Sequence, residues 1–241
     1  MSLPARAERR LHDLAQQWSI APAGVSAIRE LLALLAGNDT APTTVREAAR
    51  AVDAHVADAL TGLLVPELDR PGLVADIGAG AGIPGLVLAA ARPSLRVVEV
   101  ESTGRKCAFM EQAIAVAGLT NAEVACSRAE EWADGRERCD AVTARALAPL
   151  AVLVEYAAPL LRPGGALVAW KGRVGADEAA DGDHAAGLLG MSPARITAVP
   201  PFPGADERRL YVYLKVGSLP NGFPRRAGMA RKRPLTRSGR A

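Results

Sequence analysis

The sequence predicts an α/β protein built on a doubly wound, seven-stranded sheet, and three observations lead to this class. Short apolar runs of strand length alternate with alanine-rich runs of helix length from residue 73 onward. The first apolar run, residues 73–77, breaks abruptly into a glycine-rich stretch, residues 78–85, before a helical run begins. Hydrophobic residues make up 49% of the chain but aromatic residues only 4%, so the core around such a sheet must be aliphatic.

The apolar runs also place the strands and helices of the sheet domain. Residues 163–165, Pro-Gly-Gly, are predicted to form the turn before the fifth strand, and residues 173–192, rich in Gly, Ala and Asp, a variable excursion after it. Helices between strands are predicted at 86–91, 106–117 and 148–161. Strands are predicted at 73–77, 95–100, 122–126, 141–143, 166–170, 196–199 and 210–215.

The part of the chain before the sheet is predicted to be helical. Apolar residues recur at helical spacing between residues 4 and 66, and Thr44 is a candidate N-cap for the third helix. The sequence therefore predicts an N-terminal helical extension over residues 1–66, a sheet domain over 67–216 and a basic, flexible tail over 217–241.

Asp76 precedes the glycine-rich stretch and indicates which ligand the loop would hold. Glycines between a strand and a helix form a nucleotide pocket, because the missing side chains let a ligand approach the backbone. A carboxylate two residues before Gly78 would repel a pyrophosphate but could accept a hydrogen bond from an ammonium group. The pattern from Asp76 through Gly78, Gly80 and Gly82 therefore favours S-adenosylmethionine over NAD.

Further candidates for this pocket follow the second and third strands. Glu101 closes the second strand, and a carboxylate there can accept hydrogen bonds from both hydroxyls of a ribose. Glu99 is an alternative, because it points to the same face of the strand. Ala129 and Glu130 follow the third strand, where they could meet the exocyclic amine of an adenine.

Two cations follow the fourth and fifth strands. Arg145 lies in an apolar context, where a charge is costly unless it is paired or faces a pocket. Lys171 follows the next strand and would lie at the same rim, because the carboxyl ends of parallel strands meet at one edge of a sheet. We interpret both as candidate catalytic-site residues.

The net charge of +3 is distributed unevenly. Residues 217–241 hold seven basic side chains and no acidic one, whereas the first 216 residues hold 22 basic and 26 acidic ones. Clustered arginines without acids favour a polyphosphate partner such as nucleic acid, although a solvated basic end is an alternative interpretation. The candidate RNA-binding residues are Arg225, Arg226, Arg231, Lys232 and Arg233.

The cysteines and the hydropathy pattern bear on the cellular setting. Cys107, Cys126 and Cys139 show neither a metal-binding spacing nor a redox motif, which favours a reducing, cytoplasmic setting and predicts no metal site. No apolar run reaches membrane-spanning length, and the first ten residues lack the apolar core of a signal peptide. We expect a cytoplasmic monomer with no membrane partner.

Several segments between residues 76 and 235 carry a family resemblance. They are Asp-Ile-Gly-Ala-Gly-Ala-Gly-Ile-Pro-Gly (76–85), Glu-Ser-Thr-Gly-Arg-Lys-Cys-Ala-Phe-Met (101–110), Ser-Arg-Ala-Glu-Glu (127–131), Thr-Ala-Arg-Ala (143–146), Trp-Lys-Gly (170–172) and Phe-Pro-Arg-Arg-Ala-Gly-Met-Ala-Arg-Lys-Arg-Pro-Leu (223–235). Together they resemble the ribosomal RNA small-subunit methyltransferase G family, also called RsmG or GidB.

The resemblance implies a Rossmann-like, seven-stranded methyltransferase sheet whose last strand is antiparallel. It also implies an enzyme that transfers a methyl group from S-adenosylmethionine to N7 of a guanosine in 16S ribosomal RNA. Carried over by position, Gly78 and Ile83 would contact the cofactor, Ala129 and Glu130 would contact its adenosine side, and Arg145 would complete the site. Arg145 and Lys171 would then anchor RNA phosphate or the guanine O6 atom.

Three alternatives remain open from the sequence. A methyltransferase of a small molecule or a protein would not need the basic tail. A noncatalytic RNA-binding or ribosome-assembly protein would keep the fold but not bind S-adenosylmethionine. An NAD-dependent dehydrogenase is disfavoured by Asp76 and by the absence of a tyrosine-lysine pair at suitable spacing.

Overall fold

The computed structural model describes residues 3–45, 47–70 and 72–238, and these residues form a sheet flanked by helices. Arg240, the last basic residue of the predicted tail, lies outside the described residues. The helices are α1 (Ala5–Gln17), α2 (Pro22–Gly37), α3 (residues 48–64), α4 (Gly85–Ala91), α5 (Gly104–Ala117), α6 (Leu150–Ala157), α7 (Ala176–Leu188) and α8 (Met229–Lys232). The strands are β1 (Gly72–Ile77), β2 (Leu95–Glu101), β3 (Ala122–Cys126), β4 (Cys139–Arg145), β5 (Leu161–Lys171), β6 (Arg195–Ala198) and β7 (Arg209–Leu214).

The seven strands form one sheet in the order β3-β2-β1-β4-β5-β7-β6. Strands β1 to β5 are parallel to their neighbours, whereas β7 runs antiparallel to both β5 and β6. The central strands β1 and β4 are buried on both faces over most of their length, which explains their mostly apolar sequences. Because the order reverses at β1 and β4, the carboxyl ends of these strands frame the crevice in which such sheets bind ligands.

The N-terminal helices cover one face of the sheet. Leu11 and Leu14 of α1 and Ile28 of α2 are buried in a core that they share with β1, β2 and α4. On the other face, α6 and α7 pack against the sheet through a second aliphatic core. The helical extension predicted for residues 4–66 thus completes the core of the sheet domain.

Helix α3 changes its winding along its length. Ala48–Ala51 and Asp58–Leu60 are α-helical, Val52–Ala57 forms a wider π-helix, and Thr61–Leu64 is a 3-10 turn. Its N-cap is Glu47, whose carboxylate accepts hydrogen bonds from two backbone N–H groups of the first turn. The prediction that Thr44 caps this helix is therefore wrong.

The structure corrects one prediction around β5 and adds a helix to the segment that follows it. The residues 163–165 predicted as a turn belong to β5 itself. The residues 173–192 predicted as an excursion contain the helix α7. Gly182, a poor helix former, is required within α7 because a Cβ atom there would lie 2.5 Å from the hydroxyl of Tyr213 in β7.

The cysteines are not all free thiols. Cys107 of α5 and Cys126 of β3 form a disulfide with their Cα atoms 5.8 Å apart, whereas Cys139 is free and buried. This pairing departs from the reduced state that the sequence led us to expect. A separation of 19 residues carries no motif, and only the packing of α5 beside β3 brings the two sulfurs together.

The segment predicted as a flexible tail folds back onto the sheet domain. Arg225 forms an ion pair with Glu155 of α6, and Ala230 of α8 is buried in the second core. Arg237 pairs with Asp177 and Asp181 of α7. Within the described residues, no helix is both long and apolar enough to cross a membrane.

Candidate active site

Two cavities open at the carboxyl ends of the parallel strands. The first cavity, of about 400 Å³, lies between the end of β2 and the loops that follow β3 and β4. The second cavity, of about 600 Å³, lies between the glycine-rich loop after β1, the end of β5 and helix α3. Gly78, Lys106 and Ala146 line both cavities, so the two spaces share a wall.

Gly78 begins the loop with a backbone conformation that few other residues adopt. Its φ is +65°, and a Cβ atom on it would lie 2.5 Å from Cδ1 of Leu147. Its N–H donates to the carbonyl of Val100 at 2.8 Å, which ties the loop to the end of β2. Glycine is therefore required at position 78 for two independent reasons, the positive φ and the close approach of Leu147.

Asp76 lies behind the loop and lines neither cavity. Its two carboxylate oxygens accept hydrogen bonds from the N–H of Gly85 at 2.9 Å and from the hydroxyl of Thr143 at 2.8 Å. Burial raises the pKa of Asp76 to about 6, although these two hydrogen bonds oppose the shift. The sequence predicts that Asp76 contacts the cofactor directly. In the structure its two carboxylate oxygens instead bond to the first residue of α4 and to a residue of β4.

Glu99 lies beside Asp76 and is also completely buried. Neither of its carboxylate oxygens has a hydrogen-bond partner among the described residues. Burial, and then the neighbouring charge of Asp76, raises the pKa of Glu99 well above its usual value. A Cβ atom on Gly85 would run into this carboxyl group, which explains the fourth glycine of the loop.

Glu101 is the acid of β2 that faces the first cavity. One of its oxygens accepts hydrogen bonds from the N–H groups of Ser102 and Thr103, both at 2.9 Å. The other accepts from the N–H of Gly80 at 3.3 Å and lies 3.5 Å from Nζ of Lys106. Burial alone would raise the pKa of Glu101, but these donors outweigh it and lower the pKa. The carboxylate is thus held in one orientation and stays charged.

The loop after β3 forms the opposite part of the first cavity. Ala129 and Glu130 line it, together with Tyr156 of α6 and Arg231 of α8. One oxygen of Glu130 accepts a hydrogen bond from the N–H of Gly228 at 2.8 Å.

Arg145 lines the second cavity as one member of an ion-pair triad. Its Nη1 atom donates to Oδ2 of Asp58 and to the carbonyl of Ala54, both at 2.9 Å. Arg208 binds the same carboxylate through two further hydrogen bonds, of 2.7 and 3.1 Å. The side chain of Asp58 is only 2% exposed. One buried carboxylate therefore positions two guanidinium groups at the cavity.

Lys171 lies across the second cavity from this triad. Its Nζ atom is 2.6 Å from Oε1 of Glu178 and donates to the carbonyl of Ala148 at 3.3 Å. His55 also lines the cavity, and burial, then the charge of Arg145, lowers its pKa. Its Nε2 atom lies 3.1 Å from both the hydroxyl of Thr43 and the carbonyl of Val45.

The candidate RNA-binding residues divide into two sets. Arg225 and Arg231 both bond to the sheet domain: Arg225 pairs with the buried carboxylate of Glu155, and the exposed Arg231 donates to the carbonyl of Leu147. The other three side chains are exposed and have no side-chain partner among the described residues; they are Arg226, Lys232 and Arg233.

The predicted cofactor residues also divide by position. Gly82 and Asp76 line neither cavity, and each instead shapes the loop. The first cavity is lined by Gly78, Glu101, Ala129 and Glu130, and the second by Gly78, Gly80, Ile83, Arg145 and Lys171.

Sequence reasoning missed Arg208, Lys106 and Tyr156. Arg208 lies 150 residues from its partner Asp58, so no local pattern links them. One signal was present, since Arg208 lies two residues before the predicted last strand, residues 210–215. An antiparallel strand begins at the edge where its parallel neighbours end, which places Arg208 at the site.

Three features define a Rossmann-like methyltransferase. They are the strand order, the antiparallel β7 and the charged carboxylate of Glu101, which bonds to the glycine-rich loop at Gly80. The particular family follows from its sequence model, described as GidB, rRNA small subunit methyltransferase G, which matches residues 27–202. The chain belongs to this family.

Similar curated proteins agree with this assignment. A Ribosomal RNA small subunit methyltransferase G from Rubrobacter xylanophilus is 40% identical over 222 residues, which cover 89% of this chain and 85% of the relative. A protein of the same name from Pelotomaculum thermopropionicum is 42% identical over 202 residues, covering 82% and 83% of the two chains.

Solved structures share the fold at lower identity. A predicted O-methyltransferase from Agrobacterium tumefaciens has a TM-score of 0.51 and 24% identity, and the match covers 66% of this chain and 80% of that one. A 16S rRNA (adenine(1408)-N(1))-methyltransferase mutant from Catenulisporales acidiphilia, with the cosubstrate SAM, has a TM-score of 0.51 and 17% identity, covering 67% and 93%. The two structural matches confirm the predicted α/β, Rossmann-like fold class.

Proposed function

We propose that this chain is an S-adenosylmethionine-dependent methyltransferase that modifies N7 of a guanosine in 16S ribosomal RNA. Its family and the names of its relatives support the RNA substrate. The observation that carries the mechanism is the wall shared by the two cavities. Gly78 and Ala146 border one cavity that contains Glu101 and a second cavity that contains Arg145 and Lys171, so two ligands can meet there.

The first cavity fits the nucleoside part of the cofactor. Glu101 is charged and fixed, as a carboxylate that accepts hydrogen bonds from ribose hydroxyls must be. Ala129 and Glu130 lie where the adenine would bind. The methionine part would lie along the shared wall at Gly78 and extend toward Gly80 and Ile83, at the edge of the second cavity. S-adenosylmethionine supplies the methyl group. Asp76 and Gly82 act indirectly, because they set the shape of the loop.

The second cavity fits a guanine and its phosphate. N7 of guanine carries a lone pair in the plane of the base, so its attack on a methyl group needs no prior proton removal. The residues of this cavity therefore have to position the base, and orientation alone can contribute several kcal/mol, on the order of 7–11 in well-oriented systems. Arg145 and Lys171 would donate to O6 of the guanine or to a phosphate.

The triad explains how Arg145 could serve as such an anchor. Two guanidinium groups share one carboxylate, so the three side chains carry a net positive charge beside the cavity. Asp58 and Ala54 fix Nη1 of Arg145, which leaves its other donors for a ligand. Positioning by a buried partner reduces the entropy lost when the substrate binds.

The outward side of the C-terminal segment fits the RNA backbone. Arg226, Lys232 and Arg233 are exposed, and their charges are uncompensated within the described residues. Contacts to phosphate would give an affinity that falls with salt concentration. We place the N-terminal extension at residues 1–66, the methyltransferase domain at 67–216 and this RNA-binding segment at 217–241, in a protein that acts as a cytoplasmic monomer.

Incubation of the protein with methyl-labelled S-adenosylmethionine and unmodified small ribosomal subunits tests the proposal. We expect label in the RNA, and none with Gly78→Val, which cannot adopt the loop conformation. Label in protein or small molecules alone would favour a different methyltransferase. Absence of cofactor binding would favour a noncatalytic RNA-binding protein.

A further inference from the structure

One wall of the first cavity comes from the end of the chain. Arg231 lines the cavity beside Tyr156, and its Nη2 atom donates to the carbonyl of Leu147 at 2.9 Å. Leu147 lines the same cavity and is the residue that Gly78 approaches. The C-terminal segment thus contributes a side chain to the cavity and braces the loop after β4.

The same segment also holds the loop after β3. The N–H of Gly228 donates to Oε1 of Glu130 at 2.8 Å, and Glu130 lines the first cavity. Residues 228–231 therefore connect two loops that come from different strands. These two hydrogen bonds hold the loop after β3 and the loop after β4 against the C-terminal segment.

A buried ion pair anchors the segment. Arg225 donates to both oxygens of Glu155, with Nε 2.6 Å from Oε1, and the Glu155 side chain is only 3% exposed. A bidentate, charge-assisted pair of this kind fixes position as well as adding affinity. Phe223 and Leu235, on either side, pack against the second core.

We infer that residues 225–232 form a strap that completes the cofactor cavity, with Arg231 contacting the nucleoside part of S-adenosylmethionine. The inference rests on the proposed function, since it assigns the first cavity to that ligand. Arg226 and Lys232 lie on the outward side of the strap. In this arrangement Arg231 lines the cofactor cavity, whereas Arg226 and Lys232 line neither cavity and stay available to RNA.

Calorimetric titration of the full chain with S-adenosylhomocysteine, without RNA, tests the strap. Arg231→Gln should raise the dissociation constant about tenfold, because a charged donor is lost from the cavity wall. The double variant Arg225→Gln/Glu155→Gln removes the anchor without leaving a buried charge, and it should raise the constant about fivefold. The matched control is Arg237→Gln, an ion-paired arginine of the same segment that lines neither cavity, and it should bind as the unchanged protein does.

The outcomes separate the strap from the proposed function. Unchanged affinity in Arg231→Gln would overturn the strap alone, and this variant should fold because the side chain is exposed. Failure of the unchanged protein to bind S-adenosylhomocysteine would overturn the proposed function, and the strap with it.

Discussion

Asp76 and Glu99 are register partners on β1 and β2, and their two carboxyl groups are buried side by side beneath the glycine-rich loop. Burial raises the pKa of Asp76 to about 6 and that of Glu99 well above its usual value. Two adjacent carboxylates cannot both be charged at low cost, so a proton shared between them supplies the hydrogen bond that Glu99 otherwise lacks.

Replacement of Glu99 by Gln should stabilise the protein at neutral pH. In the folded state both acids bind protons more tightly than in the unfolded chain, so their contribution is complete below the unfolded pKa values. That contribution is lost as pH rises through the folded values, beginning near pH 4 to 6 for Asp76. Glu99→Gln keeps an N–H donor toward Asp76 and removes one of the two titrating groups.

Thermal melting between pH 5 and 8 measures this effect. The melting temperature of Glu99→Gln should exceed that of the unchanged protein at pH 8, and the difference should shrink toward pH 5. The control is Glu111→Gln, which changes an exposed acid of α5 and should not alter how the melting temperature depends on pH. A difference that is independent of pH would contradict the shared proton.

Loss of the Glu101 carboxylate should weaken cofactor binding. Its oxygens are fixed by backbone donors toward the first cavity, and charge-assisted hydrogen bonds are worth about 1.5–3 kcal/mol. Glu101→Ala should therefore raise the dissociation constant for S-adenosylhomocysteine about 10- to 150-fold. Glu123→Ala, an exposed acid of the neighbouring strand, is the control, and equal affinities of the two variants would refute the ribose assignment.

Asp58 should be more important for stability than Asp53, a partly buried acid of the same helix. Asp58→Ala leaves Arg145 and Arg208 without their common partner, and breaking a buried pair in this way costs about 3–5 kcal/mol. Asp53 of α3 has a single, partly exposed partner, Arg10, so Asp53→Ala leaves one cation unpaired near solvent and should cost less than Asp58→Ala. Urea titration measures the free energy of unfolding of the two variants. Similar decreases in that free energy would show that the ion-pair triad adds no particular stability.

Oxidation of the Cys107–Cys126 pair should stabilise the fold. A cross-link that closes a loop of this length contributes about 3 kcal/mol through the unfolded chain. The double variant Cys107→Ser/Cys126→Ser should unfold at lower urea than the oxidised protein and at about the same urea as the reduced one. Burial raises the pKa of Cys139 to about 12, so this thiol should resist alkylation in the folded protein. Identical unfolding with and without reductant would contradict the cross-link.

Periodicity and local chemistry predicted much of the fold. The seven strands, the loop from Asp76 to Gly85 and the cavity positions of Glu101 and Arg145 follow from patterns within short stretches. Helix α7 was not recognised because Gly and Asp lower its propensity, and its packing against α6 and β7 stabilises it.

The remaining parts of the site depend on contacts across the fold. The Asp58 triad, the disulfide and the strap each join residues that are far apart in sequence or on different elements. A carboxylate such as Asp76 has the same sequence signature whether it faces a ligand or, as here, the backbone of the next helix.

The identity of the methylated atom tests the central claim most directly. After reaction with unmodified small subunits, cleavage of the RNA at 7-methylguanosine by borohydride and aniline should give a single new product, absent with Gly78→Val. Labelled RNA that resists this cleavage, or label spread over several nucleotides, would contradict a site that holds one guanine with its N7 atom toward the shared wall.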